Sequence, residues 1–501
     1  MKEAVSAILA KNFPQAKLIL QKILSNNPRS AEAHTLAGVI ADQENDLRLA
    51  EKHFAAAARL KPNEPGIRNN YGAILVRLNR KEEAAREFAA SLKINPNQSS
   101  ALVNLAQIRF NENDLQVSRQ LFEKAKAIKP DAEITRALIV IALRLNEKEL
   151  VAKDYREYAE LLEQTPTENA IAQTASRIEL GKALLDGGFI DEAIHELEAI
   201  TRISPENADA FVSLSHAYLK RKDIKSAGRL LESAVSRGID DAKIYAALAE
   251  VYETGGFYEN AIPAMRLAIR KDTKNEFYRA RYGLLLIDAK APAAAVIRLN
   301  EALKEFPNSA RLWLALGIAN LNDNKSAEAR AAFERALSIN PKLVPALAYL
   351  ATTFVDQGRN DEAVKIFERG ILLDEKNAVL HYLLADTLLK TANPNLTRVE
   401  SALKRAVELD PDLASAHSAL GRLYARQERW AEAAASLELA TKLEPKSAET
   451  LYQLGRVYAR LKRTNESRSV LAKFKELSDT QKEQKEADRK DLVRRLANVS
   501  F

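Results

Sequence analysis

Proline recurs at equal intervals of about 34 residues along much of this 501-residue chain. The interval is kept by Pro28, Pro62, Pro96 and Pro130, and after two wider gaps it returns from Pro205 onward, with some prolines replaced. Such a period is typical of chains built from one small supersecondary unit, repeated many times and packed on its neighbours. The intervals up to residue 479 predict fourteen repeats and argue against a single central core.

Each repeat predicts two amphipathic helices joined by a short turn. In residues 310–343, apolar side chains recur at helical spacing on both sides of a polar turn at 322–325. Proline ends the second helix because it disfavours the α conformation in the residue before it. The first stripe contains Trp313, Leu316, Ile318 and Leu321, and the second contains Ala329, Phe333, Ala336 and Leu337.

Small residues occupy one position in each helix of the repeat. Glycine, alanine or serine recurs in the first helix, as at Gly38, Gly72 and Gly317, and this predicts close approach of two helices. Glycine inside a helix costs about 1 kcal/mol relative to alanine, so its recurrence needs a packing reason. Alanine recurs in the second helix at Ala16, Ala50, Ala84, Ala152, Ala193, Ala227, Ala261, Ala295, Ala329, Ala363 and Ala433. Asparagine or glycine recurs in the turn, where a left-handed residue closes a helix.

Seven positions of residues 310–343 together resemble the tetratricopeptide repeat pattern: Trp313, Leu316, Gly317, Ala329, Phe333, Ala336 and Pro341. The resemblance spans residues 1–478. It implies an all-α fold, a right-handed α-solenoid of antiparallel helix pairs whose first helices line a concave groove. By resemblance, such arrays scaffold protein complexes or bind extended polypeptides. Some are the non-catalytic half of a glycosyltransferase, and no catalytic half is visible in this sequence.

Irregular spacing divides the predicted solenoid. Repeat ends are further apart across residues 131–178, which predicts a seam between repeats 1–5 (residues 1–166) and repeats 6–14 (residues 167–478). Residues 479–501 are mostly charged and carry a sparse apolar stripe. A helix of this kind suits the cap of a repeat array, and a coiled-coil segment is the alternative.

The composition narrows the function classes. The net charge of +7 is mild for this length, so no nucleic-acid partner is expected. There is no cysteine and no apolar run of about 18 residues or more, so neither thiol chemistry nor membrane insertion is expected. A cytoplasmic location is favoured, with a periplasmic one as the alternative.

Residues that could carry catalysis are scattered. His195-Glu196 lacks the second histidine of a helical zinc motif, and no glycine-rich phosphate loop follows a strand pattern. His34, His381 and His417 share the repeat position of Trp313 and are predicted to be structural. We therefore expect no cofactor, no metal and no enzymatic activity. Nothing in the sequence assigns an oligomeric state.

Positions that vary between repeats are the candidates for binding. In the middle of the array they are apolar: Leu284, Ile287, Leu314, Ile318 and Leu321. Such a stripe can bind the apolar side of a peptide or helix, or it can simply pack between helices.

Near the C-terminus the same positions are basic. Arg422 and Arg426 lie one helical turn apart, Arg456 and Arg460 take their places in the next repeat, and Tyr452 precedes Arg456 by one turn. Guanidinium groups pair bidentately with carboxylates, so this group predicts a site for a peptide C-terminus or an acidic segment. The alternative is internal pairing with Asp386 and Glu449, or solvation. The arrangement is similar in logic to the carboxylate clamp of chaperone-binding tetratricopeptide repeats, but it lacks that clamp's lysine and asparagine pattern.

These patterns favour a non-enzymatic adaptor that binds a polypeptide partner in the groove. The alternative is the specificity or regulatory part of a multi-component enzyme, such as a glycosyltransferase, with its catalytic part on another chain. RNA binding would need a continuous basic groove, which the apolar middle interrupts.

Overall fold

The computed structural model describes residues 1–164 and 172–478, and within these ranges the chain forms 28 α-helices and no strand. They form fourteen consecutive pairs. The first helices of the pairs are α1 (Lys2–Leu9), α3 (Ala31–Gln43), α5 (Pro65–Arg77), α7 (Ser99–Asn111), α9 (Ala132–Arg144), α11 (Thr174–Asp186), α13 (Ala208–Lys220), α15 (Ala242–Thr254), α17 (Glu276–Asp288), α19 (Ala310–Asn322), α21 (Val344–Asp356), α23 (Ala378–Leu388), α25 (Ala414–Arg426) and α27 (Ala448–Arg460).

The second helices are α2 (Phe13–Asn26), α4 (Leu47–Leu60), α6 (Lys81–Ile94), α8 (Leu115–Ile128), α10 (Lys148–Glu163), α12 (Ile190–Ile203), α14 (Ile224–Ser236), α16 (Tyr258–Lys271), α18 (Pro292–Glu305), α20 (Ser326–Ile339), α22 (Asn360–Leu373), α24 (Leu396–Leu409), α26 (Trp430–Leu443) and α28 (Thr464–Ser478). The chain divides into two compact units: unit 1 covers Met1–Ala234 and unit 2 begins at Val235. Within each unit, helix pairs stack in chain order. The predicted all-α solenoid of fourteen repeats is confirmed.

The glycine position of the first helix is explained by the side chain that faces it from the second helix. A Cβ atom at position 317 would lie 2.3 Å from Cε1 of Phe333, and one at position 72 would lie 2.7 Å from Cε1 of Phe88. The ring therefore lies directly on the glycine backbone. Leucine replaces the ring in other repeats, as in the contact between Gly283 and Leu299. The predicted close approach is thus made inside each repeat, between its two helices.

The turn between the paired helices keeps a left-handed residue even where the sequence departs from glycine or asparagine. Asn45, Asn324 and Gly256 have φ of 63°, 59° and 75°, while Lys222 and Glu428 adopt 63° and 60°. For lysine and glutamate this conformation is unfavourable, so the packing of the two helices imposes it.

One side chain in each of several repeats ties consecutive repeats together. Nε1–H of Trp313 donates to the carbonyl of Pro307 at 2.9 Å, and Nε2–H of His417 donates to that of Pro411, also at 2.9 Å. His34 and His381 make the equivalent bond to the residue six positions earlier. The prediction that these histidines are structural is confirmed.

Repeat 5 departs from the predicted register by one residue. Val151, 1% exposed, occupies the position that alanine holds elsewhere, whereas the predicted Ala152 is only half-buried. The turn residue with positive φ is correspondingly Asn146. The expectation for Ala152 was wrong because the second helix of repeat 5 starts one residue early. The division at residue 166 and the helix predicted at 479–501 lie outside the described residues.

A buried polar cluster joins α10, α11 and α12 just after this irregularity. Arg177 and Glu196 are 4% and 2% exposed, and their side chains form two hydrogen bonds of 2.6 and 3.1 Å. The hydroxyl of Tyr158 donates to Glu196 at 3.1 Å, and burial raises the pKa of that phenol. Every ionised group in the cluster is therefore paired.

Candidate partner-binding face

The apolar residues predicted for the middle of the groove lie in the core of unit 2. Leu284, Leu314 and Ile318 are each 1% exposed, Ile287 is also buried, and Leu321 is half-buried. They pack in one hydrophobic cluster with Ala280, Ala315 and Phe333. The alternative interpretation, packing between helices, therefore describes their environment. The physical reason is that α17 and α19 pack directly on each other, so that side chains facing the next first helix are covered.

A cavity of about 250 Å³ opens at the N-terminal ends of α17 and α19. Leu314 contributes to its wall, together with Glu276, Asn308, Arg311 and Asn340. Polar groups of helix termini dominate this wall. The other predicted apolar residues, Leu284, Ile287, Ile318 and Leu321, are not part of its lining, so the cavity is not the predicted apolar site.

The basic residues stand on the first helices of repeats 13 and 14. We call Arg422, Arg426, Tyr452, Arg456 and Arg460 the arginine face. Helices α25 and α27 place each arginine pair one turn apart on one side of the helix. The structure therefore brings these five predicted residues together on two neighbouring helices.

Arg422 is engaged within the chain. Its Nη1 lies 2.7 Å from Oε1 of Glu449 at the start of α27, and both side chains are about one-third exposed. Asp386 pairs instead with Lys390, at 2.6 Å. The internal pairing considered for this face thus occurs with Glu449 and not with Asp386.

Arg426, Arg456 and Arg460 are exposed, and none of them has a carboxylate partner within residues 1–164 and 172–478. Arg426 and Arg460 lie in the last turns of their helices, where positive charge is favoured by the helix dipole. The helix dipole gives no such explanation for the positive charge of Arg456. One repeat after Glu449, the corresponding sequence position is Glu483, which is outside the described residues.

Aromatic rings support two of these arginines. The guanidinium carbon of Arg456 lies 5.7 Å from the centre of the Tyr452 ring, and that of Arg460 lies 5.7 Å from the centre of the Trp430 ring. Tyr452 is 40% exposed and contacts Phe474, with ring centres 5.2 Å apart. Stacking leaves the edges of a guanidinium free to donate hydrogen bonds.

Comparison with known proteins identifies the architecture. Models of the tetratricopeptide repeat match residues 2–65, 72–133, 283–343, 395–448 and 418–481, and a second such model matches 184–251 and 320–387. The chain belongs to the tetratricopeptide repeat family.

Curated relatives of this tetratricopeptide repeat protein share only part of its length. The type IV pilus assembly protein PilF of Pseudomonas aeruginosa is 31% identical over 137 residues, which is 27% of this chain and 54% of PilF. The anaphase-promoting complex subunit 7 of Arabidopsis thaliana is 24% identical over 302 residues, 53% of this chain and 52% of that protein. The chain thus spans about half the length of these two relatives.

Solved structures align along most of the chain at low identity. The hetero-tetramer of Cut9 and Hcn1 from the anaphase-promoting complex aligns with a TM-score of 0.42 and 12% identity, covering 98% of this chain and 95% of that one. Yeast Tom70 also gives a TM-score of 0.42, with 15% identity and coverage of 94% and 96%.

Two other kinds of functional feature are absent from the part of the chain that the structure describes. None of the helices described is long and apolar enough to cross a membrane. No group of three or more histidine, aspartate or glutamate side chains in the described ranges is arranged to hold a metal ion.

A second class of arginine in these repeats has a structural role that sequence reasoning missed. Arg463, just before α28, bonds Glu466 and Glu438, and its guanidinium lies 4.2 Å from the centre of the Tyr458 ring. Arg429 repeats this arrangement with Glu432, Glu400 and Tyr424. Hydrogen bonding to these arginines holds the pKa of Glu432 and Glu466 below the usual range.

A sequence signal separates the two classes. The structural arginines precede the second helix and are followed three positions later by glutamate, as in Arg80–Glu83, Arg359–Glu362, Arg429–Glu432 and Arg463–Glu466. Arg426, Arg456 and Arg460 lack a glutamate at that distance. They therefore lack the nearby glutamate acceptor that defines the structural class.

Proposed function

We propose that this protein is a non-catalytic adaptor that binds an acidic segment of a polypeptide partner at the arginine face. The observation that carries the proposal is the presence of three exposed arginines on adjacent first helices, without internal carboxylate partners in the described residues. Unneutralised guanidinium groups attract carboxylates and form paired hydrogen bonds with them.

The internal contact of Arg422 indicates which chemistry suits the face. Glu449 approaches Arg422 to 2.7 Å from the neighbouring first helix. Arg456 occupies the same position in the next repeat. A carboxylate of a partner could therefore pair with Arg456 in the way that Glu449 pairs with Arg422.

The relatives support an assembly role. PilF is named as a pilus assembly protein, and the plant relative is named as a subunit of the anaphase-promoting complex. Only the general role, binding to another protein, is carried over to this chain. The acidic nature of the bound segment rests on the arginine face alone.

The test is affinity capture followed by reconstitution. Proteins retained by the wild-type chain are identified by mass spectrometry, and the dissociation constant of the purified partner is then measured. We expect replacement of Arg422, Arg426, Arg456 and Arg460 by alanine to weaken binding by roughly tenfold or more, with helicity unchanged.

The control removes the same charge from exposed positions of second helices: Arg266, Arg270, Arg335 and Lys442 to alanine. This variant should bind like wild type. Equal loss in both variants would show a general charge effect, and retention of full affinity by the arginine-face variant would reject the proposal.

A further inference from the structure

The spacing of the stacked arginines on α27 defines a ligand geometry. Arg456 and Arg460 are four positions apart in one helix, which separates their Cα atoms by about 6 Å along the axis. Each guanidinium carbon lies 5.7 Å from the centre of an aromatic ring, Tyr452 or Trp430, and this cation–π contact restricts where the side chain can lie while its N–H groups can still meet a ligand. A long flexible side chain without such a contact would be less restricted.

Helix α27 is itself firmly placed. Gly455 lies against Leu471 of α28, where a Cβ atom would approach Cδ2 to 2.6 Å, and Ser447 caps the first turn through the amide of Thr450. On the far side, Glu449 bonds Arg422 of α25. The two arginines therefore stand on a rigid element, which holds the distance between them constant.

An extended polypeptide has a matching period. Side chains on one side of a strand recur every second residue, about 6.6 Å apart. Acidic residues at positions i and i+2 of an extended segment would thus match the spacing of Arg456 and Arg460 along α27. Adjacent acidic residues point to opposite sides, so only one of them could be bound.

Tyr452 extends the pattern by one more helical turn. Its ring is 40% exposed and, with Phe474, offers an aromatic surface beside Arg456. The next same-side residue of the extended segment would lie on this surface. An apolar side chain there would remove the ring from water.

We propose that α27 recognises an extended peptide segment with two acidic residues in alternation, followed or preceded at the same spacing by an apolar residue. The occupant is thus a partner segment of the form acidic–any–acidic–any–apolar, in one chain direction or the other. This inference rests on the proposed function, because it specifies the partner of the same face. It predicts a dependence on spacing that a merely cationic surface would not show.

The probes are fluorescein-labelled peptides of equal composition, used with the full chain at roughly 0.1 M salt, where charges beyond about 10 Å are screened. Two peptides have glutamates at alternate positions and one terminal leucine, which is N-terminal in Leu-Gly-Glu-Gly-Glu and C-terminal in Glu-Gly-Glu-Gly-Leu. The third has adjacent glutamates, Leu-Gly-Gly-Glu-Glu. We expect one alternating peptide to bind at least about fivefold more tightly than the third by fluorescence anisotropy.

The variants locate the effect. Arg456→Ala and Arg460→Ala should each remove the preference for alternating glutamates. Tyr452→Ala should lower the affinity only for the alternating peptide that the wild-type chain prefers. Arg270→Ala is the matched control, because Arg270 is an exposed arginine outside the arginine face, on α16, and this variant should keep the preference. The measurements are repeated in a Glu483→Gln chain, so that a carboxylate of the protein itself cannot mask the arginines.

Equal affinity for alternating and adjacent glutamates in both backgrounds would overturn this inference, as would a preference that survives in the Arg456→Ala, Arg460→Ala double variant. If the captured partner still depends on the arginine face, the proposed function survives that result. If neither the peptides nor the captured partner depend on it, both proposals fail.

Discussion

At the scale of single residues, the glycine position inside the first helix is explained by the phenylalanine or leucine side chain packed on it and not by backbone conformation. Gly317 lies in a regular helix, and the space a Cβ would need is taken by Phe333, which is fully buried. Phe333 in turn stacks on Tyr349 with ring centres 5.3 Å apart. The ring therefore has little freedom to move away from an added methyl group.

Gly317→Ala should destabilise unit 2 by roughly 1–3 kcal/mol, because overpacking outweighs the helix propensity gained, about 1 kcal/mol. The measurement is chemical denaturation followed by tryptophan fluorescence, since Trp313 and Trp430 both lie in this unit. Gly370→Ala in the same unit is the control: a Cβ there meets only Leu380, at 3.4 and 3.7 Å, so this change should be neutral or stabilising. Equal stability of the two variants would contradict the ring explanation.

A histidine pair gives unit 1 a dependence on pH. Nδ1 of His34 lies 3.0 Å from Nδ1 of His53, and Nε2–H of His34 donates to the carbonyl of Pro28. His34 must therefore accept at Nδ1 from His53. Burial, and then the charge of His34 and of Lys52, lowers the pKa of His53 below its ordinary value near 6.5.

Because the folded state resists protonation of His53, the stabilisation is complete above about pH 6.5 and is lost as the pH falls below it. Hydrogen exchange of α3 and α4, expressed as protection relative to the unstructured chain, should fall between pH 7.5 and pH 5.5, by about tenfold or less for one histidine. His53→Gln cannot take up the proton and should show a shallower fall. The same slope in both proteins would rule out His53 as the titrating group.

At the scale of helices, the pair α11 and α12 depends on one buried ion pair. Removing one partner leaves an unpaired buried charge, whereas removing both leaves a core of apolar atoms. Glu196 also accepts from Tyr158 of α10, so the loss spreads to the preceding repeat.

Glu196→Gln should destabilise unit 1 by roughly 3–5 kcal/mol, and the Arg177→Met, Glu196→Leu double variant should recover most of the loss. Urea denaturation monitored by circular dichroism gives both values. Glu179→Gln is the control, since Glu179 is 71% exposed in its pair with Lys182 and should cost less than about 0.5 kcal/mol. A double variant no more stable than Glu196→Gln would contradict the charge explanation.

Helix pairs and turns were predictable from the sequence because spacing determines them. The regular interval located the pairs outside the irregular stretch at repeat 5, and the turn positions held their left-handed residue even at Glu428. Repeat 5 was displaced because Val151 fills a position that alanine fills elsewhere, and Ala152 next to it matches the alanine pattern. A shift of one position cannot be recognised from the sequence when both choices are small and apolar.

The candidate face was predictable only in part. Identical repeat positions are exposed at Arg456 and buried at Ile318, which packs in the hydrophobic cluster of unit 2. Burial at this position depends on side chains in two repeats at once. A comparison of equivalent repeat positions describes one repeat at a time, so it could not distinguish a groove residue from a core residue at Leu284 or Leu314.

At the scale of the whole molecule, the two units have differently organised cores. In unit 2 one hydrophobic cluster runs from Ala280 to Tyr458. Unit 1 contains several smaller clusters, such as those around Leu20, Phe54 and Phe88. Residues 345–354 of α21 are all buried, which no helix of unit 1 matches within its described residues.

Native-state hydrogen exchange should therefore be slowest in α19 and α21, with a nearly common opening free energy for neighbouring helices of unit 2. In unit 1 the helices should open with a spread of free energies, lowest at α1 and α2, because each cluster involves few helices. Mass spectrometry of peptic fragments at increasing denaturant makes the comparison. Uniform exchange across both units would contradict this organisation.

The continuous core of unit 2 also has a mechanical consequence. Pulled from its ends, a chain of loosely coupled repeats lengthens in many small steps, each releasing one pair of helices. A stretch of repeats that shares one core resists until it yields together, because rupture under force follows the unfolding barrier of the cooperative unit. If the arginine face carries a tethered partner, load on that tether would enter the array at its stiffer end.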